Sequence, residues 1–82
     1  MVTPESIRAS IAQGMVTEHL SVAGDGSHFE AVVVSDVFNG KSRVQRHQAV
    51  FQTLGDRMRE EIHALSMKTY TPKEWEGIVA SR

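Results

Sequence analysis

Two histidines, His28 and His63, are the side chains whose type and position best suit a chemical role. Neutral imidazole is a good ligand for zinc, copper and iron, and two imidazoles leave a metal with coordination positions for further ligands. His28 directly precedes an apolar, β-branched stretch, and His63 precedes a second stretch of alternating polarity. The alternative is a pair of unrelated surface histidines, because two ligands alone rarely form a stable metal site.

A run of cationic side chains forms a second group of candidates. It consists of Lys41, Arg43, Arg46 and His47, with no acidic residue among them. Such a cluster suits the recognition of an anion, of a nucleic-acid phosphate or of a protein partner. For His47 alone, the alternative to a ligand or general base is a half-buried ring that packs on the apolar side of a helix.

Composition limits the classes of function. The 82 residues include ten acidic and nine basic side chains, for a net charge of −1, so no overall field steers the chain toward nucleic acid or anionic lipid. The absence of cysteine excludes a disulfide, a thiol nucleophile and a four-thiolate iron–sulfur cluster held by this chain alone. The longest apolar run, 31–34, is far too short to span a membrane. We expect one domain over residues 1–82, in the cytoplasm and without membrane contact.

Local signals in the N-terminal half predict a helix followed by a β-hairpin. Thr3 and Pro4 are typical of a helix start, and the helix is predicted over residues 4–13. Apolar residues at period two predict a first strand over 15–22 and a second over 29–34. The Gly- and Asp-rich stretch between them is a strong turn signal.

The C-terminal half is predicted to be helix, strand and helix. Apolar spacing at positions 44, 47, 51 and 54 predicts a helix over 43–54, and residues 56–61 suggest a further helical turn. A third strand is predicted over 64–70. A capping box with proline at the first position, residues 71–74, begins a last helix that carries Trp75, Ile78 and Val79.

The connections between strands predict which residues meet. A helical crossover joins the second strand to the third and favours parallel pairing, whereas the hairpin makes the first two strands antiparallel. The second and third strands would then begin at the same edge of a mixed sheet. If they are neighbours, His28 and His63 start about 5 Å apart, the distance between adjacent strands.

The predicted order α-β-β-α-(α)-β-α, with a three-stranded mixed sheet, gives an α+β fold. This order resembles the second type of KH domain, an RNA-binding fold, but the Gly-x-x-Gly loop that clamps nucleic acid in that family is not found in this sequence. No Ser-His-Asp or paired-carboxylate arrangement is present, and the segment 39–42 lacks the glycine that a phosphate-binding P-loop requires. We therefore do not expect an enzyme.

Four stretches of the chain resemble the BolA family, and its short IbaG-like bacterial branch most closely. They are GDGSHF (24–29), VVSDxFxGKS (33–42), RHQxV (46–50) and IHALSxKTYTPxxW (62–75), where x marks positions outside the resemblance. The resemblance implies a KH-like fold without the Gly-x-x-Gly loop. The first fifteen residues carry no family motif, so no role is transferred to them.

The resemblance also implies a partner and a cofactor. BolA proteins bind monothiol glutaredoxins of the CGFS type, and a [2Fe–2S] cluster is shared between the glutaredoxin cysteine, a glutathione thiolate and the BolA protein. The family's C-terminal histidine ligand corresponds to His63, and the second ligand to His28. The Lys41–His47 segment would help to recognise the partner or its glutathione. The implied roles are iron–sulfur trafficking, iron homeostasis or stress response. The alternative is a KH-like, nucleic-acid-binding transcriptional regulator, and a homodimer is a further option.

Overall fold

Within residues 2–58 and 64–81, which the computed structural model describes, helices and strands follow one another in the predicted order. Their bounds are α1 (Pro4–Gly14), β1 (His19–Gly24), β2 (Phe29–Val34), α2 (Arg43–Leu54), β3 (Leu65–Tyr70) and α3 (Pro72–Ala80), with 3-10 turns at Asp36–Phe38 and Gly55–Met58. None of the helices in these residues is apolar over a length that would cross a membrane.

The strands form one mixed sheet in the order β1-β2-β3. β1 and β2 are antiparallel and close the hairpin at the Gly24–Phe29 pair. β2 and β3 are parallel, and their first residues, Phe29 and Leu65, are opposite each other. The predicted α+β class, the hairpin and the parallel pairing are all confirmed.

The core lies between one face of the sheet and the first two helices. Alternation along β2 turns Phe29, Ala31 and Val33 to the same side, where all three are buried. The other buried apolar side chains of this core are Ile7 and Ile11 of α1, Val50 and Leu54 of α2, Leu65 of β3, and Phe38. Because β2 lies between β1 and β3, burial of its inner face fixes the register of the sheet.

Side-chain caps set where the helices begin. The Thr71 hydroxyl accepts the Glu74 backbone N–H, and the Glu74 carboxylate accepts the Thr71 backbone N–H. This capping box satisfies two backbone donors that the first turn of a helix leaves without a partner. The predicted starts of the first and last helices are therefore confirmed. The same reciprocal arrangement begins α1 at Thr3 and Ser6 and α2 at Ser42 and Gln45.

The predicted first strand begins too early. Residues 15–18 lie outside β1, which starts at His19. Met15 caps α1 by donating its backbone N–H to Ile11, and Val16 is 83% exposed although its period-two spacing suggested an inward side chain. The Val16 carbonyl instead accepts the Ser35 hydroxyl, so this segment is a connector fastened to the end of β2.

Two details of the second half also differ from expectation. Val44 was expected on the apolar seam of α2 but is 65% exposed, because the core contacts of this helix come from Val50 and Leu54. The 3-10 turn Asp36–Phe38 was not predicted, and it inserts Phe38 fully into the core. The further helical turn expected over 56–61 is present as the 3-10 turn Gly55–Met58, and the rest of that prediction lies outside the described residues.

Candidate functional site

His28 is the last residue of the turn that joins β1 to β2. The Asp25 carboxylate accepts the backbone N–H groups of Ser27 and His28, both at 2.9 Å, and the Asp25 N–H donates to the His28 carbonyl at 3.1 Å. Gly26 has φ of +94°, a conformation that side-chain-bearing residues rarely adopt. The backbone around His28 is thus held in place, while the residue itself is exposed to solvent.

Hydrogen bonds in this turn also favour the charged form of Asp25. The N–H of His28, followed by that of Ser27, lowers the pKa of the Asp25 carboxyl below its usual value. The carboxylate therefore stays ionised and keeps both hydrogen bonds at neutral pH.

The parallel pairing brings the starts of β2 and β3 to one edge of the sheet, as predicted. His28 directly precedes Phe29, and Phe29 is the register partner of Leu65. His63 comes two residues before Leu65 in the sequence but lies outside the described residues. The expected closeness of the two imidazoles therefore stays a prediction.

The cationic residues 41–47 line a groove beside β3. This cavity has a volume of about 500 Å³ and separates the start of α2 from the outer edge of the strand. We call it the cationic groove; its lining residues are Lys41, Arg43, Arg46, His47, Met67, Lys68, Thr69 and Tyr70. The four residues singled out in the sequence are thus brought together, and Lys68 adds a cation from the strand.

Arg46 differs from the other cations because its charge is already paired. Its guanidinium binds both carboxylate oxygens of Glu74, with Nη1–Oε1 at 2.8 Å and Nη2–Oε2 at 3.3 Å. It also donates to the backbone carbonyls of Lys41 at 3.0 Å and Thr69 at 3.4 Å, and it lies 5.8 Å from the ring centre of Phe38. Its side chain is only 14% exposed. Arg46 therefore joins α2, β3 and α3.

The absence of an acid near residues 41–47 in the sequence was misleading, because Glu74 comes from the last helix. The contact with Arg46 lowers the pKa of the Glu74 carboxyl, and a hydrogen bond from Thr71 lowers it further. No local pattern indicates this pair, since its members are 28 residues apart.

His47 is half-buried at the groove, as its position on the helix predicted. Burial lowers the pKa of its imidazole below the usual 6.5, and the positive charge of Arg43 lowers it further. His47 is therefore mainly neutral near pH 7 and can accept a hydrogen bond from a bound group.

His19, an exposed residue of β1 that is not among the candidates from the sequence, makes a structural contact. Its ring stacks on Trp75 of α3 with centroids 4.8 Å apart, and Tyr70 lies 5.6 Å from the same tryptophan. His19 and Tyr70 are register partners of the same β2 residue, Val34. The stack therefore joins α3 to the end of the sheet opposite His28.

The described side chains do not form a self-contained metal site. Among residues 2–58 and 64–81, no three or more His, Cys, Asp or Glu side chains group in a way that could hold a metal ion. His28 is exposed to solvent, and hydrogen bonds hold its backbone. Its imidazole nitrogen is a type of ligand that binds iron. Such a residue could complete a coordination sphere to which other molecules contribute ligands.

Comparison with known proteins identifies relatives of this chain. The family model described as BolA-like protein matches residues 4–74. The acid stress protein IbaG of Escherichia coli strain K12 is 39% identical over 70 residues, which cover 84% of this chain and 83% of that protein. The DNA-binding transcriptional regulator BolA of the same strain is 45% identical over 60 residues, or 73% of this chain. The match spans only 57% of that regulator's length.

A solved structure supports the same relationship. The structure of a bolA protein homologue from Coxiella burnetii superposes with a TM-score of 0.79 at 47% sequence identity. The match covers 93% of this chain and 99% of that one.

Proposed function

The chain belongs to the BolA-like protein family, and from this premise we propose that it is a non-enzymatic adaptor for iron–sulfur chemistry. It would bind a monothiol CGFS glutaredoxin together with glutathione, and His63 and His28 would complete the ligands of a shared [2Fe–2S] cluster. The single observation that carries the proposal is the parallel β2–β3 pairing. Because of it, β2, which His28 directly precedes, and β3, which follows His63 by two residues in the sequence, begin at one sheet edge.

The residues of this chain would supply imidazole nitrogen, and the partner and glutathione would supply the thiolates. When bound, a cluster with two neutral histidine ligands on one iron carries less negative charge and has a higher reduction potential than an all-thiolate cluster. The Asp25 hydrogen bonds hold the backbone of His28 and leave its ring exposed, which suits a ligand that has to meet a second protein. This arrangement would serve iron–sulfur trafficking, iron homeostasis or stress response.

Reconstitution with a purified CGFS glutaredoxin tests the proposal. The glutaredoxin is loaded with glutathione, iron and sulfide, this chain is added, and visible absorption, circular dichroism and cluster lifetime under a chelator are recorded. We expect the wild-type chain to change the spectrum, His63→Ala to abolish that change and His28→Ala to shorten the lifetime.

His19→Gln is the matched control, because it removes an exposed imidazole at the opposite end of the sheet. It should behave as wild type. Equal spectra and lifetimes for His63→Ala and the wild-type chain would overturn the ligand assignment. Far-ultraviolet circular dichroism of each variant shows whether it is folded.

A second candidate function is nucleic-acid-binding regulation. It is supported by the name of the E. coli relative, a DNA-binding transcriptional regulator, and by the cationic groove. Titration of labelled duplex DNA at several salt concentrations tests it, since phosphate contacts make affinity fall with salt. Specific binding that is lost in Arg43→Gln but kept in His63→Ala would favour this function over the adaptor.

A further inference from the structure

The outer edge of β3 offers backbone hydrogen-bonding groups to the cationic groove. Among the described strands β3 has one neighbour, β2, so its other edge is free of strand pairing. The Tyr70 carbonyl accepts the Ser35 N–H, which shows that the backbone groups of Tyr70 face β2. Because alternate residues of a strand point their backbone groups to opposite sides, those of Met67 and Thr69 face the groove.

The contact made by Arg46 agrees with this geometry. Its Nη1 reaches the Thr69 carbonyl from the groove side. The N–H of Thr69 and both backbone groups of Met67 point to the same side, and both residues line the cavity. The edge thus has the backbone pattern that an added strand would pair with.

The charge of the groove indicates which kind of strand would bind. Lys41, Arg43 and Lys68 are exposed, and they border the free edge. Another cationic edge, such as that of a second copy of this chain, would be repelled, whereas carboxylates would be attracted. A ligand whose charge complements this groove is therefore acidic.

We propose that the cationic groove binds an extended acidic peptide, which adds as a fourth strand to β3 and places its carboxylates near Lys41, Arg43 and Lys68. The binding mode is β-augmentation, in which main-chain hydrogen bonds provide affinity and side-chain contacts provide specificity. Nucleic acid would use the same cations but would have no need of the Met67 and Thr69 backbone groups.

This site is separate from the proposed cluster ligands. Leu65 begins β3 at the His28 end of the sheet, and Thr69 lies about 13 Å further along the strand at about 3.3 Å per residue. Peptide binding requires neither iron nor glutathione. It goes beyond the proposed function, and either activity can fail without the other.

The probe is a hexapeptide of three Thr-Glu repeats, acetylated and amidated at its ends. It is titrated at low salt into the purified chain, and backbone amide shifts are followed by nuclear magnetic resonance. We expect the Met67 and Thr69 amides to shift most. A peptide of the same sequence with methylated backbone nitrogens keeps the charge but cannot pair as a strand, and it should bind at least about tenfold more weakly.

Paired charge variants test the groove itself. The double variant Lys41→Gln, Arg43→Gln should weaken peptide binding by about tenfold. The variant Arg8→Gln, Lys73→Gln has the same net charge but changes exposed residues outside the groove, and it should bind as wild type. Amide spectra without peptide show that each variant is folded.

Three outcomes would overturn the proposal. Equal affinity for the methylated peptide would mean that charge alone attracts it. Displacement by a single-stranded oligonucleotide that binds more tightly than the peptide would assign the groove to nucleic acid. Shifts of Met67 and Thr69 that depend on protein concentration without peptide would show that a second copy of the chain occupies the edge.

Discussion

The two candidate sites, one at the His28 end of the sheet and the other beside residues 67–70 of β3, are built in different ways. At the His28 end, an exposed turn is held by a single exposed carboxylate, that of Asp25. At the cationic groove, the guanidinium of Arg46 is mostly buried and joins three elements. The first site presents an exposed imidazole on a hydrogen-bonded turn, whereas the second is a preformed surface.

This difference shows that neighbouring cations in a sequence need not share a role. Arg46 is part of the scaffold, since Glu74 neutralises its charge and two backbone carbonyls accept its remaining hydrogen bonds. Arg43 and Lys41 are exposed and line the groove, so their charge can act on a ligand. The positive charge that the groove presents to a ligand therefore comes from Lys41, Arg43 and Lys68 rather than from Arg46.

The largest expected effect is at the His28 end. A Cβ on Gly24 would lie 2.6 Å from the His28 carbonyl oxygen and also too close to Phe29, so Gly24→Ala has to move the turn. Overpacking of this kind should lower the free energy of unfolding by about 2–3 kcal/mol. Urea denaturation measures the loss, and amide shifts of residues 25–28 report the displacement.

Gly77→Ala is the matched control for that substitution. Gly77 lies inside α3, where an added Cβ would meet no atom within 4 Å. Alanine should stabilise the chain there by up to about 1 kcal/mol because it is a better helix former than glycine. Stability of Gly24→Ala equal to wild type would show that the His28 turn is not constrained by its contact with β1.

The next largest effect on unfolding free energy distinguishes the two arginines of α2. Arg46→Ala removes hydrogen bonds to Glu74, Lys41 and Thr69 and should cost about 2 kcal/mol of unfolding free energy, the scale of hydrogen bonds to a charged group. Arg43→Ala, at an exposed position, should change it by less than about 0.5 kcal/mol. Urea denaturation of both variants in the same buffer gives the comparison.

Arg46→Lys sharpens that test. Lysine keeps the charge but cannot hold both Glu74 oxygens while reaching the two carbonyls, so most of the loss should remain. Full stability in Arg46→Lys would mean that charge alone matters, and equal losses for Arg43→Ala and Arg46→Ala would contradict the division of roles.

Much of this fold could be predicted because its signals are local. Helix starts at Thr3 and Thr71 follow from hydroxyl caps and prolines within four residues, and the hairpin follows from the turn around Gly26. The parallel pairing follows from a general rule on crossover connections. Each of these features is indicated by a short stretch of residues or by a general rule of chain topology, so it can be predicted from one sequence alone.

The features that were missed depend on distant contacts. Val16 alternates correctly for a strand, but its carbonyl accepts the Ser35 hydroxyl, 19 residues away. The stack of His19 on Trp75 joins residues 56 positions apart. No local pattern encodes such pairs, which explains why the cationic cluster was predicted while the acid that neutralises part of it was not.

The smallest expected effect is the pH dependence of stability that His47, a residue of the groove, contributes. Because the pKa of His47 is lower in the folded chain than its usual 6.5, the folded state binds fewer protons there than the unfolded state. Its contribution to stability is therefore present above about pH 6.5 and decreases as the pH falls below that value. Arg43, the charged neighbour on the same helix, disfavours a protonated imidazole, and Lys68 of β3 borders the same groove.

The measurement is the urea midpoint of wild type and of His47→Gln between about pH 7.5 and about pH 5. Other groups also titrate in this range, so the difference between the two chains isolates His47. Wild type should lose more stability than His47→Gln as the pH falls. Identical pH dependence would show that the imidazole ring is not disfavoured in its charged form, and that this side of the groove is as open to solvent as the turn that carries His28.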